Sequence, residues 1–185
     1  MLLALAGPSG SGKTTVSMEL CASQGYRYFA PHTTRPARPG ERAQVGYEFV
    51  TSAEFQNLVD ADSLLFHDML YGHHYGLSKK LIEACSAEPK VLVTVPIWRM
   101  IDLQELIPET FCAYLLPPDE TEQRTRISTR SSVTALELAE RVINEDLRWF
   151  TKVPGLHLVP PAPKAEVVRS IVIAAEGGCG DGSRA

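Results

Sequence analysis

Cysteine is scarce in this chain: four in 185 residues, with no CxxC pair. That excludes a disulfide-stapled scaffold and argues against a structural metal site. Cys21, Cys85, Cys112 and Cys179 read as reduced thiols of a cytoplasmic protein. No apolar run approaches the roughly 20 residues of a membrane span. The opening "MLLALA" is too short for a secretory core and has no basic start, so neither membrane insertion nor export is expected. Strong charge of one sign is also missing. The net charge of −4 gives no bulk attraction to nucleic acid or to an anionic membrane surface. Repeats and low-complexity blocks are absent, apart from the glycine-rich end "EGGCGDGSRA", which reads as a loose tail over 176–185.

The positive charge that is present is clustered. Arg35, Arg38 and Arg42 stand together early, and Arg124, Arg126, Arg130, Arg141 and Arg148 late. Two local basic sites in an acidic chain suit a small anionic ligand better than a long polyanion. The partner expected is therefore a phosphorylated small molecule, with the chain acting as a monomer or homodimer.

Short apolar runs alternate with helical patterns along most of the chain. Leu2 to Ala6, "YRYFA", "KVLVTV", "FCAYLL" and "LHLV" read as strands. Helices are expected from Lys13 to Ser23, Ala53 to Asp60, after Ser78, near Ile97 to Leu106, after Asp119, after Thr134, and through "PKAEVVRSIVIAA". Thr51 with Glu54, and Thr134 with Glu137, form capping boxes. This alternation predicts an α/β fold, a parallel sheet covered by helices. Residues 31–77 break the rhythm. "PHTTRPARPG" reads as loop, "GYEFV" and "SLLFHDML" as short strands, and the whole segment as a small inserted lobe within a core of 1–30 and 78–175.

"GPSGSGKTT" supplies the first chemistry. Gly7, Gly12, Lys13 and Thr14 satisfy GxxxxGK[ST] between a buried strand and a helix, as a P-loop requires. Gly7, Pro8, Ser9, Gly10, Ser11 and Gly12 would turn successive N–H groups toward the phosphates of ATP or GTP, at a helix N-terminus that favours anions. Lys13 is placed for the β- and γ-phosphates, Thr14 for Mg²⁺, and Thr15 follows them. The polar stretch around "STRSSVT" carries Arg126, Arg130 and Arg141. It reads as a lid over about 126–141 that closes on the transferring phosphoryl group, or else as a solvated helix face paired with Glu122, Glu137 and Glu140.

"HTTRPARPGE…GYEFVTSAEF…GHHYGLS", together with the P-loop, resembles guanylate kinase, the enzyme that moves a phosphoryl group from ATP to GMP. The similarity runs from Leu3 to about Met100, and more weakly through the lid arginines. The resemblance implies that Arg35, Arg38, Tyr47 and Tyr75 hold the acceptor's phosphate. Two guanidinium forks and two phenols suit a dianion. It further implies that Arg130 and Arg141 contact the phosphates in transfer, with ATP and Mg²⁺ required.

The positions that read guanine in that family depart from its pattern. They fall on Pro31, Phe66, Leu77 and Val95, with Ile97 next along the strand, and all are apolar. A buried guanine edge left unpaired costs about 1–3 kcal/mol per group. GMP is therefore expected to be a poor acceptor. His67, Asp68, His73, His74 and Ser78 lie close in sequence and offer a different polar pattern. The family's strand carboxylates near Mg²⁺ are missing, and "VPPAPK" lacks its asparagine–aspartate run near adenine.

Three readings follow. The first is a kinase for a nucleoside monophosphate other than, or only poorly, GMP. The second is a ribose 1,5-bisphosphate kinase. Those relatives also lack the guanine-reading carboxylate, but they differ at Arg38 and at the threonine pair of "GKTT". The third is a non-catalytic guanylate-kinase-like binding module, which an intact Lys13 and Thr14 disfavour.

Overall fold

The computed structural model describes residues 1–38, 46–128 and 145–177. Its spine is β1 (Leu2–Ala6), with all five residues buried. The continuous apolar run follows from burial on both faces. Leu3 and Leu5 point to one side, where Val16 and Leu20 of α1 (Lys13–Gln24) and Ile171 of the closing helix pack. Leu2, Ala4 and Ala6 point to the other, against Leu81, Met100 and Leu103.

β1 pairs in parallel with β7 (Val91–Thr94) and with β8 (Phe111–Leu115). β2 (Arg27–Phe29) and β9 (His157–Val159) form the edges, giving the order β2-β7-β1-β8-β9. This is a parallel sheet with helices on both faces, the predicted α/β architecture.

A second sheet of four strands has the order β4-β3-β6-β5. Its members are β3 (His32–Thr33), β4 (Glu48–Phe49), β5 (Leu64–Leu70) and β6 (His73–Ser78). β3 lies inside the stretch expected to be loop. Its two residues become strand because Thr33 and Thr34 are tied to His74. The Thr33 hydroxyl donates to the His74 carbonyl, and the His74 N–H donates to the Thr34 hydroxyl, both at 2.9 Å. Helix α2 (Ser52–Asp60) begins with the expected capping box: the Glu54 N–H donates to the Thr51 hydroxyl, and the Thr51 N–H to the Glu54 carboxylate.

α2 covers one face of this sheet through Phe55, whose ring stacks on His74 at 5.2 Å and meets His67 edge-on at 6.2 Å. Gly76 makes room for it. A Cβ there would stand 2.9 Å from Leu64 Cδ1 and 3.0 Å from Phe55 Cζ. The opposite face of the sheet looks into a cleft.

The remaining helices are α3 (Lys80–Ala87), α4 (Arg99–Leu106), α5 (Glu120–Ser128) and α6 (Lys164–Gly177). α4 starts two residues later than its sequence pattern suggests. Pro96, Ile97 and Trp98 form the turn out of β7. Among the described residues, no helix is long and apolar enough to cross a membrane.

Candidate functional site

The two sheets flank a cleft of about 1460 Å³. That exceeds the roughly 300–1,000 Å³ of a single small-molecule site, so there is room for two ligands. Its floor is the loop between β1 and α1, residues 7–15. Gly7 sits at φ 145°, and a Cβ on it would lie 2.7 Å from the Leu115 carbonyl, so only glycine lets the loop pass this close to β8. Gly12 adopts the left-handed conformation and turns the chain into α1, which begins at Lys13. The buried Gln123 of α5 packs against the loop, donates to the Ser9 carbonyl at 2.9 Å and fixes the loop's crest.

The Lys13 ammonium donates to the carbonyls of Gly7 and Pro8 at 2.6 and 2.9 Å, so it is held over the concave side of the loop. Burial pushes its pKa down to about 8. The Asp146 carboxylate opposes that shift, and the Arg38 charge adds to it. Asp146 is itself buried, and its Oδ2 accepts from the Tyr114 hydroxyl at 2.7 Å. Burial raises its pKa, against that hydrogen bond and the Lys13 charge. Sequence reasoning missed both Gln123 and Asp146. Neither stands in a motif, and each meets the loop from more than 100 residues away.

A polyanion bound in the loop would return Lys13 to its charged form. Between pH 8 and the ordinary lysine range, nucleoside triphosphate binding is therefore expected to take up a proton. Calorimetric titration at pH 9 in two buffers of different ionisation enthalpy measures this directly. Equal heats in the two buffers would show that Lys13 is not at the phosphates.

On the small sheet and the loops flanking β3 and β4, Arg35, Arg38, Tyr47 and Tyr75 all reach the same cleft. The Arg35 N–H donates to the Thr33 hydroxyl at 3.1 Å, so the threonine pair of "HTTR" aims the arginine. Its guanidinium carbon lies 5.5 Å from the Tyr47 ring centroid and 5.4 Å from that of Phe49. Tyr47 in turn meets Tyr75 edge-on at 5.7 Å. One guanidinium and two phenols thus form a contiguous patch, with Arg38 on the side toward Lys13.

The strand register sorts the rest. Phe66 pairs with Leu77 and Asp68 with Tyr75 across β5 and β6. Successive side chains alternate between faces, so Phe66, Asp68, Tyr75 and Leu77 share the cleft face. Pro31, Thr94, Val95, Ile97 and Trp98 continue that wall. Leu77, Val95 and Ile97 are almost fully buried, and Phe66 packs against the same cluster.

Three expected pocket residues need correction. His67 lies on the opposite face, exposed and against Phe55, because it is one residue out of phase with Asp68. Ser78 is buried at the end of β6, where its hydroxyl accepts from the Lys80 N–H at 3.3 Å, and it does not line the cleft. His73 reaches the cleft, while His74 faces α2.

Arg126 of α5 lines the cleft and donates to the Gly10 carbonyl at 3.2 Å, while also pairing with Glu122 one turn back. Arg130, Arg141 and the capping box of Thr134 and Glu137 lie outside the described residues, as do Arg42 and Cys179. The proline-rich 160–163 and Lys164 close the far end of the cleft, and Lys164 pairs with Glu19 of α1.

A model of the guanylate kinase family matches residues 1–148 of this chain. The guanylate kinase of Nitrosococcus oceani is 32% identical over 143 residues, which cover 76% of this chain and 70% of that protein. The guanylate kinase of Synechococcus sp. is 33% identical over 181 residues, covering 88% and 83%. Among solved structures, guanylate kinase from Anaplasma phagocytophilum matches with a TM-score of 0.75 at 21% identity, over 98% of this chain and 87% of its own. A gluconokinase from Sinorhizobium meliloti 1021 shares the fold more loosely, with a TM-score of 0.52 at 16% identity over 95% and 91%. A P-loop between β1 and α1, a parallel sheet behind it and a family match over most of the length lead to one conclusion: the chain belongs to the guanylate kinase family and is a P-loop kinase.

Proposed function

We propose that this kinase moves the γ-phosphoryl group of ATP to the phosphate of a nucleoside monophosphate other than GMP, with GMP at best a poor acceptor. The observation that carries the reading is the cleft wall: Phe66 and Leu77, paired across β5 and β6, continue into Val95 and Ile97 without a hydrogen-bonding side chain among the four. The relatives are named guanylate kinases. By the resemblance, these are positions at which that family reads guanine. A guanine edge against apolar carbon leaves its donors unpaired, and sites built on hydrogen bonds discriminate by about 10⁴-fold.

In this reading ATP lies in the P-loop, its phosphates on the loop N–H groups and Lys13. Arg35, Arg38, Tyr47 and Tyr75 hold the acceptor's phosphate. An oxygen of that phosphate attacks the γ-phosphorus as the bond to the β–γ bridging oxygen breaks, and ADP leaves. The nucleophile is already anionic, so no general base is required. Positioning and charge neutralisation dominate. The resemblance assigns Arg130 and Arg141 to the phosphoryl in flight, and closure of 126–141 would exclude water.

The family uses ATP with Mg²⁺. Among the described residues there is no group of three or more carboxylate, histidine or cysteine ligands. That fits an ion held mainly by substrate phosphates and water, with the Thr14 hydroxyl as the protein ligand. When bound, Mg²⁺ neutralises charge on the β- and γ-phosphates.

The test is ADP formation with GMP, AMP, CMP, UMP, dTMP, IMP and ribose 1,5-bisphosphate at matched concentrations. Turnover is expected with a nucleotide other than GMP, at a kcat/KM at least about 10²-fold above that for GMP. GMP as the best acceptor overturns the reading, as does turnover confined to the sugar bisphosphate.

A further inference from the structure

Arg99 belongs to no motif, yet its guanidinium makes four hydrogen bonds beside the acceptor chamber. It is the first residue of α4, on the main sheet's side, and it reaches across to β5 of the small sheet. Its Nε and Nη2 donate to the two carboxylate oxygens of Asp68 at 2.8 and 2.7 Å. Nη1 donates to Asp102 Oδ2 at 2.6 Å, and Nη2 also reaches the His67 carbonyl at 3.4 Å. The same guanidinium lies over the Phe66 ring, its carbon 4.7 Å from the centroid.

Asp68 and Phe66 both line the cleft, two residues apart on one face, whereas Arg99 stands behind them. The Arg99 and Asp68 side chains are 23% and 21% exposed, so the pair is largely shielded from water. A bidentate pair with this shielding is strong and geometrically fixed.

We infer that Arg99 is a specificity-determining positioning residue: it engages both oxygens of the one carboxylate on this stretch of wall and holds the Phe66 ring in place, so that the chamber presents an apolar surface and a paired, not a bare, carboxylate to the acceptor's base. The inference rests on the proposed function, in which this chamber receives the base. Without Arg99, Asp68 would present an unpaired anion beside Phe66. It would then attract a base edge rich in N–H donors, as guanine is. The wild-type pair removes that attraction and also ties β5 to α4, so the wall keeps its shape when the acceptor enters. Arg99 touches no reacting group in this scheme; it acts only through Phe66 and Asp68.

The test uses GMP as the probe and the full chain as it exists. Arg99→Ala is expected to improve GMP binding and kcat/KM by about tenfold or more, the worth of a hydrogen bond to a newly bare carboxylate. ATP affinity should stay within about twofold, since the contact lies away from the P-loop. Adding Asp68→Asn to that variant should return GMP to the wild-type level. Arg99→Gln, which keeps an amide beside Asp68 and a stem over Phe66, carries the same comparison where Arg99→Ala does not fold. Equal GMP affinity in the Arg99 variant with and without Asp68→Asn overturns the inference, as does an equal change in ATP affinity. Brisk GMP turnover by the wild type would overturn the proposed function instead, so the two failures are distinguishable.

Discussion

Replacing Lys13 with methionine is expected to lower ADP formation by about 10²–10³-fold while leaving the fold intact. The P-loop places a single flexible cation above a cup of backbone N–H groups, 2.6 and 2.9 Å from the Gly7 and Pro8 carbonyls. The remaining loop donors, backbone amides and the hydroxyls of Ser9, Ser11, Thr14 and Thr15, are neutral. They can cradle a triphosphate, but they cannot neutralise the charge that builds on it during transfer. Methionine keeps the length and most of the volume of the lysine stem, so packing against the loop changes little.

The sign of the stability effect can be stated separately. Burial disfavours the charged ammonium, which is why the Lys13 pKa falls to about 8. Removing the charge removes that penalty, and the thermal midpoint should hold or rise slightly below pH 8. In the wild type, the same penalty should relax as pH climbs from 8 toward the ordinary lysine value. Thermal melts run beside the activity assay separate the two effects. Near-normal turnover in a well-folded Lys13→Met protein would mean that the triphosphate is not held in this loop.

Arg38→Ala is expected to raise the acceptor's KM by about 10²-fold and to leave ATP affinity nearly unchanged, because a charge-assisted bond to a phosphate is worth about 1.5–3 kcal/mol. Arg35 is braced by the rings of Tyr47 and Phe49 and by the Thr33 hydroxyl behind its own N–H. Arg38 has a different position. It lines the cleft on the side facing the P-loop, near enough for its charge to depress the Lys13 pKa.

In the proposed scheme, then, Arg38 stands where the two phosphates must approach each other. Two positive groups across a gap repel when nothing lies between them and cooperate when anions do. Removing Arg38 should therefore also shift the pH of proton uptake on ATP binding upward. Isothermal titration with ATP and with the preferred acceptor checks both parts. Equal losses of ATP and acceptor affinity would show that residues 31–77 do not hold the acceptor.

The phosphate loop was legible from the sequence because everything it needs is local. Two glycines, a lysine and a threonine at fixed offsets between an apolar strand and a helix mark the backbone turns and the helix N-terminus within nine residues. The main sheet was legible for a similar reason. Strands buried on both faces have to be apolar along their buried length, and Leu2–Ala6, residues 91–93 and Phe111–Leu115 are.

The small sheet was only partly legible. β3 is two residues long and sits among prolines, so no local pattern marks it. It exists because Thr33 and Thr34 find His74 some 40 residues later. The phase of β5 was likewise hidden. Closeness in sequence grouped His67 with Asp68, but a strand sends neighbours to opposite faces. Only the pairing of Phe66 with Leu77 shows which face meets the cleft.

The sequence by itself determined that this chain has an anion cradle at the start of a parallel α/β sheet, since residue identity and short-range spacing suffice for that, whereas the apolar character of the positions where the family reads guanine is what the resemblance implies. The tertiary structure decided which side chains share the chamber. It moved His67, His74 and Ser78 out, brought Asp146 to Lys13 and Gln123 to the loop's crest, and locked Asp68 to Arg99 of α4. Those relations join residues tens to more than a hundred positions apart. Charge neutralisation and hydrogen-bond satisfaction act over distances in space, and folding alone sets those distances.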